Sequence, residues 1–403
     1  MIHRSSLRHL ALLLLLGAIS TGTLLAQARP RARELGIPIG GTAGALDAIT
    51  DVAGVEVGHT TLISGEGKLV VGKGPIRTGV TAILPRGKTS DDPVFSAWWT
   101  LNGNGEMTGT HWLDESGFLW GPVMITNTQS VGVVRDAVID WAVKKGWNDF
   151  LFALPVVAET WDGGLSDIDG FHVTREDAVH ALESARGGPV TEGNVGGGTG
   201  MVCHQFKGGI GTASRRLSVK EGGYTVGVLV QCNYGARRRL SIAGVPVGQE
   251  IDDLRPCWLN GSPGDSSRGK CSDGGYKNER GSGSIIIVIA TDAPLLPHQL
   301  QRVARRAALA VGRMGGLGED SSGDIFIAFS TANAKASVDT GTVKLTMLPN
   351  DRINPMFEAT VQATEEAIVN ALLAAETMTG ADGFRVYALP RDRLMTAMKK
   401  YGR

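Results

Sequence analysis

The run Ile285-Ile286-Ile287-Val288-Ile289-Ala290 constrains the fold of this chain more than any other segment. Branching at Cβ restricts χ1 and suits a pleated, extended backbone, so the run reads as a β-strand. It has no polar alternation, so neither face of that strand can meet water and other layers must cover both. Residues 252–283, just before it, are polar, charged and Gly-rich with almost no apolar content, and that composition predicts an exposed loop. The two meet at Gly283-Ser284.

Further elements follow the same logic. Ile49–His59 reads as a turn and an alternating strand, Thr78–Leu84 as a second strand, and Phe150–Val157 as a buried strand ending at Glu159. Val133, Val134, Val138, Ile139 and Ala142 fall at helical spacing within 130–145, and helices are also expected over 175–186, 297–314 and 357–377. Gly193–Gly200 reads as a glycine loop, Tyr224–Val230 as a strand with Asn233 just beyond its end, and Asp324–Phe329 as another buried strand. Residues 29–45 read as an extended or loose segment. Buried strands alternating with helices imply a layered α/β protein.

The first residues read as a targeting signal. Arg4 and Arg8 precede the apolar run Leu10–Leu16, and Ala26-Gln27-Ala28 fits a signal-peptidase site with cleavage after Ala28, or alternatively after Ala26. Residues 1–28 are therefore expected to be a signal peptide, and 29–403 a single domain in the periplasm or outside the cell. An uncleaved membrane anchor is the alternative, although the apolar run is short for a bilayer. The formal net charge of +0 gives no global field to attract nucleic acid or a membrane surface. Export permits disulfides. Cys257 and Cys271 flank part of the polar stretch and suit a loop-closing bridge, whereas Cys203 and Cys232, in apolar or Gly-rich contexts, read as small core residues.

Several familiar catalytic patterns are missing. Gly87-Lys88-Thr89 lacks the upstream glycine of a phosphate loop, because Ala82 stands there. There is no GxSxG elbow and no HExxH, and the eight histidines are scattered, so neither an elbow serine nor a metal or other cofactor is expected. A serine can instead be activated by its own α-amino group, whose ordinary pKa of about 7.7–8.0 makes it a base near neutral pH. That requires a cut just before the serine. Gly283-Ser284 suits it, since an exposed loop meets a buried strand there and the preceding residue is small; a plain linker end is the alternative reading of the same residues.

A series of motifs spread over nearly the whole chain resembles the L-aminopeptidase/D-esterase family, which includes the β-peptidyl aminopeptidases. They include Asn102-Gly103-Asn104-Gly105-Glu106, Thr126-Asn127-Thr128, Glu159-Thr160-Trp161-Asp162-Gly163, Gly193 to Met201, Gly208 to Arg215, Gly283-Ser284, Ser322-Gly323-Asp324-Ile325-Phe326 and Ala388-Leu389-Pro390-Arg391-Asp392. The resemblance implies a four-layer αββα sandwich of the autoproteolytic N-terminal-nucleophile type, cut into chains 29–283 and 284–403. It implies Ser284 as nucleophile, Ser322 and Asp324 as its supporting pair, Asn233 as oxyanion donor and Glu159 as the carboxylate for the substrate's ammonium. Some members carry a tyrosine hydroxyl where Trp161 stands here, and an indole offers only its N–H. The expected substrate is a small peptide, amide or ester with a free amine, and the expected assembly is a homo-oligomer of αβ units. An acyltransferase of the related ornithine acetyltransferase type, or an unprocessed exported binding protein, are the competing readings.

Overall fold

The structure, a computed structural model, describes residues 29–147, 153–266, 269–276, 283–338 and 340–403. The expected signal peptide and the start of the Phe150–Val157 strand lie outside the described residues. Two sheets face each other. One has four strands in the order Glu56–Ser64, Ile76–Leu84, Val123–Asn127, Val156–Thr160. The other has six, in the order Phe118–Leu119, Val94–Gly103, Gly323–Ser330, Ser284–Thr291, Thr225–Asn233, Gly209–Arg216.

The isoleucine run is the fourth strand of the larger sheet and explains its layering. Ile285, Ile287 and Ile289 point outward into a core shared with Leu300, Val303 and Ala307 of helix Pro297–Arg313 and with Ile368 and Leu372 of helix Asn354–Ala374. Ile286, Val288 and Ala290 alternate to the inner face and meet Ile83, Val123 and Ile125 of the smaller sheet. The far side of that smaller sheet packs Val80, Met124 and Val157 against Val134, Val138 and Leu182 of helices Val131–Lys144 and Arg175–Ser184. The stacking is therefore helix, sheet, sheet, helix, with three apolar cores between the layers.

Three local expectations are corrected. The segment after residue 29 is docked, not loose: Ala32, Ile37 and Ile39 are buried in the outer core, and the Ala32 N–H donates to Asn370 Oδ1 at 2.9 Å. Cys203 and Cys232 are buried, as core residues are, but they also form a disulfide, because the short strand Val202–Cys203 abuts the end of Thr225–Asn233. Asn233 is the last residue of its strand, paired with Ser284, and does not lie beyond it. The expected Cys257–Cys271 bridge is present.

Candidate active site

Ser284 opens the central strand of the larger sheet, between Asn233 on the antiparallel neighbour and the Ser322–Asp324 segment at the start of the parallel neighbour. Strand pairing alone thus brings together residues about fifty positions upstream and forty positions downstream of the loop-to-strand junction. Ser284 is nearly buried, and its Oγ accepts the Gly323 N–H at 2.9 Å. The residue before it has little choice of side chain. Gly283 has φ +100°, and a Cβ there would stand 1.8 Å from the Asn233 carbonyl oxygen. Only glycine fits both the left-handed backbone and that close approach.

Ser322 donates to Asp324 Oδ1 at 2.6 Å, and the Asp324 N–H is received by Asn102 Oδ1 at 2.8 Å. The other Asp324 oxygen is buried without a hydrogen-bond partner. Burial raises the Asp324 carboxyl to about 6, against the pull of the Ser322 hydroxyl and the Ile285 N–H. A half-satisfied carboxylate on the strand partner of Ile285, next to Ser284, is well placed to hold a positive charge at the start of that strand.

The Asn233 side chain is oriented at both ends. Its Oδ1 accepts the Val202 N–H at 2.7 Å and its Nδ2 donates to the Trp161 carbonyl at 3.0 Å. One amide hydrogen therefore remains for another acceptor. The peptide group that bonds Asn233 is itself held from behind, because Lys207 Nζ donates to the Met201 carbonyl at 2.9 Å and to the Gly208 carbonyl at 2.9 Å. Burial lowers the Lys207 amine to about 7.

Glu159, near the end of strand Val156–Thr160, is buried. Its Oε1 accepts the Glu106 N–H at 2.9 Å and its Oε2 accepts the Thr128 hydroxyl. No lysine or arginine among the described residues forms a salt bridge to it. Burial pushes its carboxyl above the ordinary range, partly offset by the Thr128 and Glu106 hydrogen bonds. Glu159, Trp161, Asn233, Gly283 and Ser284 all line one cavity of about 1000 Å³. Asp324 and Ser322 stand behind the serine and do not line it.

The site uses residues to which the sequence alone assigned no role. Thr128 and Glu106 hold Glu159, Asn102 holds Asp324, and Lys207 holds the peptide behind Asn233. Asn102, Glu106 and Thr128 sit inside motifs whose order marked them as a set; Lys207 stood outside every motif. No group of three or more potential metal ligands occurs among the described residues. No helix among them is long and apolar enough to cross a membrane.

Two packed sheets between helix layers form an αββα sandwich of the Ntn hydrolase class, the fold of the solved relatives described below. The chain belongs to peptidase family S58, whose family model matches residues 47–386. It is 56% identical over 391 residues to the β-peptidyl aminopeptidase BapA of Sphingosinicella microcystinivorans, covering 96% of this chain and 97% of that one. A β-aminopeptidase structure from Burkholderia sp. superposes with a TM-score of 0.82 at 46% identity, covering 93% of this chain and 99% of that one. The L-aminopeptidase D-Ala-esterase/amidase of Ochrobactrum anthropi, described as a prototype of the serine aminopeptidases and a variant of the Ntn hydrolase fold, does so with a TM-score of 0.82 at 45% identity, covering 93% and 99%. The chain is an aminopeptidase of that family.

Proposed function

We propose that this aminopeptidase is exported, cuts itself at Gly283-Ser284 and uses Ser284 as the nucleophile that releases N-terminal residues from short peptides, amides or esters. The observation that carries this reading is the place of Ser284: the first residue of a buried strand, entered through a glycine that no other residue can replace, with the unpaired oxygen of Asp324 at its back. The freed α-amine takes the hydroxyl proton, Ser284 Oγ adds to the carbonyl carbon, and the remaining amide hydrogen of Asn233 receives the oxyanion. The tetrahedral intermediate collapses with loss of the amine or alcohol, and water then resolves the acyl-enzyme. The uncompensated Glu159 carboxylate receives the substrate's ammonium. The kinship to β-peptidyl aminopeptidases favours β-amino acyl substrates among those with a free amine. Mass spectrometry of the mature protein should find two chains, the smaller beginning at Ser284; one intact active chain would exclude the terminal-amine mechanism.

Two further outcomes follow from this geometry. Asn233→Ala is expected to lower kcat by about 10²–10³-fold, the scale for loss of one oxyanion donor, with KM little changed. Asp324 must be ionised to hold the ammonium, and its folded-state pKa lies above the ordinary carboxylate value. It therefore takes up its proton as the pH falls through about 6, and the new ammonium draws that point lower. The kcat profile, which reports the substrate complex, should show an acid limb centred no higher than about 6 that Asp324→Glu displaces. An acid limb of unchanged position in that variant would remove Asp324 from the role.

A further inference from the structure

The polar stretch before Ser284 contains few large apolar side chains, yet those it has gather in one place. Pro256, Trp258, Pro263 and Tyr276 all line the cavity that holds Ser284, and Phe384 joins them from the last short strand pair. The Trp258 ring lies 4.7 Å from that of Phe384, tilted by 44°, and 5.9 Å from Tyr276, edge-on at 81°. The row continues towards the chemistry. A Cβ on Gly164 would stand 3.4 Å from the Phe384 ring and 3.6 Å from the Trp161 ring, so both rings rest on the same glycine. The Trp161 carbonyl is in turn the acceptor of the Asn233 amide.

These rings are fixed in place and only partly covered, with Trp258 and Phe384 half-buried and Trp161 and Tyr276 exposed. The Cys257–Cys271 disulfide closes the loop, Trp258 pairs with Phe384 in a two-residue ladder, and the Trp258 N–H donates to the Gly269 carbonyl at 2.9 Å. The Tyr276 N–H donates to the Pro256 carbonyl at 2.7 Å. The small apolar cluster beneath, of Leu165, Met378 and Val386, packs against Phe384 but includes neither Trp258 nor Tyr276. Tyr276 remains 47% exposed and Trp161 55%. Rigid aromatic surface left open on a cavity wall is a feature of ligand contact, whereas a merely structural cluster buries its rings.

We propose that the aromatic row of Trp258, Tyr276, Phe384 and Trp161, centred on Trp258 and tied down by the Cys257–Cys271 disulfide, is a substrate subsite that binds an aromatic or branched apolar group of the substrate. This rests on the reading of Ser284 as the nucleophile of that cavity. Such a group can come from the acyl residue or from the leaving group, and matched substrates separate the two. Alanyl amide is small on both sides, phenylalanyl amide enlarges the acyl side, and alanyl p-nitroanilide enlarges the leaving group. Trp258→Ala should lower kcat/KM roughly tenfold or more for one of the two enlarged substrates and leave alanyl amide within about twofold. Loss on phenylalanyl amide assigns the row to the acyl side, and loss on the p-nitroanilide to the leaving group. The double variant Cys257→Ser/Cys271→Ser unties the same wall without altering a ring. It should show the same selective loss, and it decides the matter should Trp258→Ala not fold. Equal loss on all three substrates, or no loss on any, overturns the subsite. Ser284→Ala run alongside tests the underlying reading separately, because turnover surviving in that variant would remove the nucleophile whether or not the row is selective.

Discussion

Ser284→Ala is expected to leave the precursor as one chain and to lower kcat by about 10⁵–10⁶-fold, the scale on which loss of a serine nucleophile acts. The same hydroxyl serves two reactions in the proposed scheme. In the first it adds to the Gly283 carbonyl, giving an N→O acyl shift and then hydrolysis; in the second it adds to the substrate carbonyl. Removing one oxygen atom therefore removes both, and denaturing electrophoresis beside a turnover assay reads each independently. The fold should survive. Ser284 Oγ makes one hydrogen bond, to the Gly323 N–H, while the strand it opens is fixed by Ile285 to Ala290 between two apolar cores. Thermal unfolding of the variant should accordingly stay close to that of the unprocessed wild-type chain. A variant that splits normally would place the cut under other groups. One that stays intact but turns over would move the nucleophile elsewhere.

That junction also shows how far sequence reaches in this molecule. The isoleucine run was legible because its physics is local: β-branched residues without alternation must be a strand covered on both sides. The layers follow from it, since both faces need partners. Contacts of high sequence separation were legible only through motifs. Nothing in the spacing of Ser284, Asn233 and Asp324 places them on adjacent strands; that adjacency comes from the order of the larger sheet. Lys207 escaped because a lysine next to Phe206 and Gly208 looks like surface charge, and its burial depends on carbonyls of a loop that folds over it. The Cys203–Cys232 disulfide escaped for a similar reason, as apolar surroundings mark a buried cysteine without naming a partner. The stretch 252–283 was read by its average composition, which is polar, when Trp258 and Tyr276 carry the structural information.

The second large effect concerns the far end of the substrate. Glu159→Gln should lower kcat/KM for substrates with a free amine by roughly 30- to 4000-fold, corresponding to about 2–5 kcal/mol for loss of one partner of a buried charge pair. N-blocked esters should be nearly unaffected. Glutamine keeps the shape of glutamate and can still accept the Glu106 N–H, and the Thr128 hydroxyl can turn to accept from the new amide. The cavity is thus preserved while its charge is removed. The pH dependence sharpens the test. Burial raises the Glu159 carboxyl and no lysine or arginine among the described residues pairs with it, so the group takes up a proton at a higher pH than an ordinary glutamate does. A substrate ammonium binds the ionised form, so binding strengthens as the pH rises through that raised value and weakens as it falls. In wild type, the KM of a free-amine substrate should therefore climb on the acid side, and in Glu159→Gln that climb should vanish, while the acid limb of kcat assigned to Asp324 persists in both. An equal loss on free and blocked substrates, with the KM profile unchanged, would mean that Glu159 only supports the fold between Glu106 and Thr128 and that the ammonium is held by some other group.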